Sequence, residues 1–348
     1  MSDGRHRLSL SRASSPSVAR RDGSHSSAPP PRAEPAFASA MSRPAAPRAG
    51  GRSGRVSKKL LSCHKSTAPT AMGFIPLPIV IDTHCHLTFP DFADNTEREL
   101  AEAAKHGVTG CITISTTSVD CLSALAIAKS HDRVWCSSGV HPSYSDHGPH
   151  DWSIIRMVAR DPKCVAWGEL GLDNHYDKPL REVQDAVLAE QLSVIENEKS
   201  ESGETGLGKP IVIHCREAFD DLLPILKDTV FDPARFVFHC FTGSANDAKK
   251  ILDFGAWISF TGVVTYKNAK DVQAAAKLVP SDRIMVETDA PFLAPMPRRG
   301  ERPCRPWMTS LTAKFLAELR GTDWEEFHHT LNDNTQRFFG INAHGAGE

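Results

Sequence analysis

No apolar run in this 348-residue chain approaches the ~20 residues needed to cross a bilayer, so no membrane span is expected. There is no GxGxxG turn and no GxxxxGK(S/T) loop, which excludes the usual glycine cradles for dinucleotides and nucleoside triphosphates. The nine cysteines include no CxxC pair. An odd count without a framework points to reduced thiols. With no apolar signal segment, a cytoplasmic protein is expected. No internal repeat is present, so a solenoid is excluded.

Acids are scarce in the first 71 residues: Asp3, Asp22 and Glu34 stand against 13 Lys+Arg, a net charge of +10. The remainder carries −12, so the whole-chain value of −2 conceals two opposite parts. Segment 1–71 is rich in Ser, Ala, Arg, Pro and Gly and buries too little apolar surface to offset the entropy of ordering, so a disordered basic leader is expected. Three readings compete for it. It has the Arg- and Ser-rich, acid-poor composition of a transit peptide, it suits a basic tail neutralising phosphates, and it fits sequence lying ahead of a true start at Met41 or Met72.

Segment 72–348 is long enough for one large α/β domain. Short β-branched runs at 76–84, 108–115, 134–140, 164–169, 210–214, 236–240, 257–260 and 283–287 read as eight strands. Helical spacing appears between them at 96–105, 119–130, 179–197, 244–254, 269–278 and 306–320. Thr96 reads as the N-cap of the first helix, with Glu99 completing a capping box. The strands are continuously apolar rather than alternating, which suits a parallel sheet covered by helices. Eight such units in about 250 residues predict a single (β/α)8 TIM barrel. The polar, Gly-rich stretch 198–209 is expected to be a solvent loop at the N-terminal end of the barrel.

Functional groups of a TIM barrel sit where its strands end, and here ligand-type residues recur at those ends. His84 and His86, two apart on a strand, share a face and can hold one ion. Taken singly, His214 and His239 read as core histidines; on adjacent strands they can chelate a second ion. Glu169 lies between the two groups as a bridging carboxylate, and Asp289 closes the circle. Such a set suits two divalent ions about 3.5–4 Å apart. Imidazole mixed with carboxylate favours Zn, Mn, Fe or Ni, with Mg at the carboxylate-rich position. A bound ion lowers the pKa of its water toward about 7, and Asp289 is placed to take the proton. Arg216 offers a fork of donors matched to phosphate, or alternatively a salt bridge to a metal-binding carboxylate. His141 reads as a contact to substrate or as a residue orienting another ligand.

The motifs DTHCH (82–86), GVHP (139–142), GELGLD (168–173), HCR (214–216), HCFTGS (239–244) and ETDAPFLAP (287–295) occur in one order. In this the body resembles the TatD family of metal-dependent deoxyribonucleases, among the amidohydrolase-like TIM barrels, from Ile79 to Phe339. The resemblance implies that His84, His86, Glu169 and Asp289 hold one metal and that Glu169, His214 and His239 hold the second. It also implies hydrolysis of DNA, often from a 3′ end. Two departures bear on substrate choice: Asn174 stands where the family often has an aromatic residue, and residues 299–306 replace the usual Gly-Lys-Arg run. The four arginines of 298–305 read either as phosphate contacts or as a solvated loop.

The acidic body is unusual for a protein that grips long duplex, and suits one acting on strand ends. Two other readings stand beside the nuclease. One is a hydrolase of an ester, an amide such as a D-aminoacyl-tRNA, or a small phosphate compound. The other is a catalytically silent metal-binding scaffold.

Overall fold

The computed structural model describes residues 80–341. The expected leader and the first four residues of the expected first strand lie outside them. Eight strands follow one another: β1 (Val80–Cys85), β2 (Val108–Thr113), β3 (Val134–Ser138), β4 (Cys164–Asp173), β5 (Ile211–Arg216), β6 (Phe236–Phe238), β7 (Trp257–Phe260) and β8 (Ile284–Val286). They pair in sequence order and all in parallel. A Cys85–Ala290 bridge, and a 2.9 Å bond from the Asp289 N–H to the His84 carbonyl, return the end of β8 to β1 and nearly close the barrel. Helices α1 (Thr96–Lys105), α2 (Ser118–Ser130), α3 (Trp152–Ala159), α4 (Arg181–Asn197), α5 (Phe219–Lys227), α6 (Ala245–Phe254), α7 (Lys270–Leu278), α8 (Thr309–Arg320) and α9 (Trp324–Phe339) cover it. The expected (β/α)8 architecture is therefore the observed one.

The strands read as continuously apolar because both of their faces are buried. In β5, Ile211 and Ile213 pack under the helices while Val212 enters the barrel interior; in β6, Phe236 and Phe238 face the helices and Val237 faces inward. Period-two alternation then turns the next inward positions, His214 and His239, into the barrel. The interior is thus layered. Ile81, Ile112, Val212, Val237, Trp257 and Met285 fill its N-terminal part, with Phe338 and Phe339 of α9 packed against them. The polar side chains gather above.

Some local expectations need correction. Thr96 does not cap α1: Asn95 holds the cap position without a side-chain bond, the Thr96 hydroxyl donates to the Phe92 carbonyl (3.1 Å), and Glu99 pairs with Arg305 (2.7 Å). The capping box belongs to α6, where Ser244 and Asp247 bond each other's backbone N–H. In α2 the buried face is Cys121, Ala124 and Ala128, and Leu122 is exposed. Helices α3, α5 and α9 escaped the sequence reading. Pro224 interrupts the pattern of α5, whereas Asp151 and Asp323 are legible caps for α3 and α9.

Stretch 198–209 does lie at the N-terminal end of the strands, but it is tied down. Trp167 Nε1 donates to the Gly206 carbonyl (2.8 Å), Arg235 donates to the Thr205 carbonyl (2.7 Å), and buried Glu198 pairs with Arg160 (2.9 Å).

Candidate metal centre

Six strands deliver one ligand-type side chain or more to a single buried cluster at the C-terminal mouth. His84 is next to last in β1, where a register irregularity between Asp82 and Cys85 accompanies the turn into His86, one residue past the strand. His141 follows β3, Glu169 lies within β4, His214 within β5, His239 just after β6 and Asp289 just after β8. All seven are at most 8 % exposed. The structure thus brings together at this end all seven residues that the sequence put at strand ends. Glycine is required where β4 meets β5: Gly171 has φ +147, and a Cβ there would sit 1.9 Å from the His214 carbonyl oxygen.

Glu169 is the hub. Its Oε1 lies 2.6 Å from His239 Nε2, 2.8 Å from His214 Nδ1 and 3.3 Å from His141 Nε2. Its Oε2 faces the other way, 3.2 Å from His84 Nε2. Asp289 Oδ1 lies 3.6 Å from His84 Nε2 and 3.4 Å from His86 Nε2. Ligand atoms lie within 4.8 Å of one another in three overlapping groups: His84, His86 and Asp289; His84, Glu169 and His239; and His141, Glu169 and His214.

The outward nitrogens of His86 and His214 are hydrogen-bonded and that of His239 faces a carboxylate, which fixes how these rings point inward. His86 Nδ1 lies 3.0 Å from the Ile114 carbonyl, so Nδ1 carries a proton and Nε2 is the nitrogen turned toward Asp289. His214 Nε2 is 3.1 Å from Asp173 Oδ2, and His239 Nδ1 is 3.4 Å from Glu287 Oε1. Glu287 is itself held by the Cys240 N–H at 2.6 Å. His141 is wired the opposite way. Its Nδ1 accepts the Ser143 N–H at 2.9 Å, so in the neutral ring the proton sits on Nε2, facing Glu169. That makes His141 a hydrogen-bond donor to the cluster, although its distances alone would allow a ligand.

The charges are arranged to receive a cation. Burial by itself would raise the Glu169 carboxyl, but the imidazoles of His239, His141 and His84 hold it well below the usual range. Burial raises Asp289 as well, and His86 and His84 bring it below its ordinary value. His84 is pushed down by burial and by neighbouring His239, which leaves it neutral. His239 would be lowered by burial, yet Glu169 and Glu287 drive it well above the imidazole range, and Asp173 and Glu169 do the same to His214 to a lesser degree. Protons there substitute for positive charge the cluster lacks.

Four buried polar atoms without a hydrogen-bond partner fall within this cluster: both ring nitrogens of His84, Glu169 Oε2 and His239 Nδ1. Orphaned buried polar atoms cost about 1–3 kcal/mol each. Lone pairs of His84 and Glu169 that face each other at 3.2 Å are what a divalent cation would join, so this donor set fits metal.

Arg216 stands beside the cluster. Its Nη1 donates to Tyr176 Oη at 3.1 Å, its guanidinium lies 5.1 Å from the Tyr176 ring centre, and its charge helps hold the Asp173 carboxyl down. Tyr176 supplies an aromatic ring two residues past Asn174, in the loop where the sequence reading noted its loss. The reading assigned no role to Asp173, Glu287 or Tyr176, although Asp173 and Glu287 sit inside motifs it quoted. Of the four arginines in 298–305, Arg298 pairs with Glu301 (2.9 Å) and Arg305 with Glu99. Arg299 lies over Tyr266 and Arg302 over Phe292.

The family model described as "TatD related DNase" matches residues 81–340. The chain is 35% identical over 267 residues to the metal-dependent hydrolase YcfH of Escherichia coli K12, covering 76% of this chain and 97% of that protein. It is 30% identical to the 3′-5′ ssDNA/RNA exonuclease TatD of Enterobacter lignolyticus, covering 75% and 99%. Among solved structures, YJJV, a TatD homologue of Escherichia coli K12, superposes with a TM-score of 0.70 at 30% identity, covering 77% of this chain and all of that one.

Proposed function

The chain belongs to the TatD related DNase family of metal-dependent hydrolases, and from that premise we propose that it is a two-metal exonuclease removing nucleotides from the 3′ end of single-stranded nucleic acid. The carrying observation is the division of Glu169, with one oxygen toward His214 and His239 and the other toward His84. A carboxylate so placed would be shared between two ions. His84, His86 and Asp289 would hold one with it, and His214 and His239 the other. Zn, Mn or Mg all suit this mixture of imidazole and carboxylate.

When bound, the ions supply Lewis acidity and bring the pKa of a coordinated water toward about 7. The chain's own groups do the rest. Asp289, held ionised by His86 and His84, accepts the proton of the attacking water. His141 Nε2–H donates toward an oxygen of the scissile group, since the Ser143 N–H keeps the proton on that side. Arg216, steadied by Tyr176, pairs with a phosphate oxygen. The water oxygen bonds to phosphorus as the bond from phosphorus to the 3′ oxygen of the remaining strand breaks; that oxygen takes up the proton held by Asp289, and a nucleoside 5′-phosphate leaves. Asp173 and Glu287 keep the His214 and His239 rings aimed. No helix among the described residues is long and apolar enough to cross a membrane.

The test is shortening of a 5′-labelled single-stranded oligonucleotide by the full chain with Mn²⁺ or Mg²⁺, beside Glu169→Ala. A ladder made by the wild type alone supports the reading. Protein that binds metal but leaves the oligonucleotide intact overturns it.

A further inference from the structure

The cluster spans the mouth between two opposite sides of the barrel. His84, His86 and Asp289 come from the β8–β1 side, and Glu169 and His214 from β4–β5, four strands away in either direction. Each side carries an aromatic ring with an arginine over it. On the β4–β5 side these are Tyr176 and Arg216. On the β8–β1 side the rings continue outward from a candidate ligand. Half-buried Phe89 stacks on His86 with centroids 4.7 Å apart and planes 18° from parallel. Half-buried Phe292 stands nearly perpendicular beside them, 6.0 Å from Phe89 and 6.5 Å from His86. The exposed guanidinium of Arg302 lies 5.4 Å from the Phe292 centroid.

We propose that Phe89, Phe292 and Arg302 form a nucleobase subsite beside the scissile phosphate, which selects single strands by stacking; this rests on the nuclease reading above. A strand laid across the mouth places a phosphate over the cluster and a neighbouring base on the β8–β1 side. Aromatic rings with a planar cation are the chemistry that receives an unpaired base whatever its sequence. A base inside a duplex is already stacked and paired, so it cannot occupy such a site without being unstacked. The subsite therefore discriminates by strandedness, and it does so without the basic surface that a duplex binder needs, in keeping with the acidic body.

The experiment compares kcat/KM of the Mn²⁺-loaded full chain on a single-stranded oligonucleotide and on the same strand abasic at its last or next-to-last 3′ nucleotide. Wild type should lose about tenfold at one of those positions, the loss expected when one stacked base is removed. Phe292→Leu should lose about tenfold on the intact strand, mainly through KM, with no further loss on that abasic strand. Phe292→Tyr should restore the wild-type pattern. If wild type is indifferent to both abasic positions, or the losses from Phe292→Leu and the abasic site multiply, the subsite is overturned while the nuclease reading survives. If wild type shortens no strand at all, the nuclease reading fails, and the subsite falls with it.

Discussion

The backbone N–H of Ser143 points at Nδ1 of His141 from 2.9 Å. This contact separates His141 from the other histidines of the centre, since it commits the inward nitrogen to carrying a proton. His141→Ala should therefore keep its full complement of metal while turnover falls about a hundredfold or more, the usual range for a lost proton donor. Metal analysis beside steady-state kinetics decides the matter. Loss of one metal equivalent would make His141 a ligand.

Glu169→Ala should abolish activity and leave the barrel folded, because the side chain lies at the hub of the cluster and outside the apolar layers. Circular dichroism checks the fold. Near-normal turnover would rule out a scheme in which Glu169 joins two ions.

Asp173→Asn and Glu287→Gln remove the charges that aim His214 and His239. Each should weaken metal binding about ten- to a hundredfold, as expected when the partner of a metal-binding imidazole is lost. Titration with Mn²⁺ reads this directly, and unchanged affinity would confine both residues to packing.

Arg216→Ala should raise KM for an oligonucleotide and leave metal content unchanged if its guanidinium grips phosphate. A fall in metal content with KM unchanged would place Arg216 behind the metal-binding carboxylates instead.

In the metal-stripped protein, the stability contributed jointly by His214, His239, Glu169 and Asp289 should be complete between about pH 5 and 6.5. The pKa values of His214 and His239 are raised above 6.5, so their contribution is complete below that pH and is lost as pH climbs through the raised values. Those of Glu169 and Asp289 are depressed, so their contribution is complete above about 4.5 and is lost as pH falls through the lowered values. Added metal replaces the protons, so the gain in Tm on loading should grow from pH 6 to pH 8. A gain that does not depend on pH would mean that the stripped centre holds no protons on these rings.

Much of the fold was legible because a (β/α)8 barrel repeats one local pattern. Buried parallel strands are apolar on both faces, so Ile211–Ile213 and Phe236–Phe238 announce themselves as short runs, and the next inward position in each is a histidine. The errors arose where local signals compete. Thr96 and Glu99 match a capping box, but the Phe92 carbonyl and Arg305 claim them from outside that pattern. Pro224 hid α5, although the rest of that helix supplies Leu222, Leu223 and Leu226 to the core. The sequence also ended β4 at Glu169, four residues early; Gly168 and Gly171 let β4 run on close against β5.

The sequence by itself determined the class of barrel, the end of it that carries the chemistry and the residues that meet there, since strand period and strand order fix which side chains face inward and at what height. Only the tertiary structure decided how those residues divide their work. Which oxygen of Glu169 faces which histidine, and that Asp173 and Glu287 stand behind His214 and His239, depend on orientations of a few ångströms between side chains about 40 to 85 residues apart. Spacing along the chain carries no record of those orientations, because they are set by the packing of whole strands against one another.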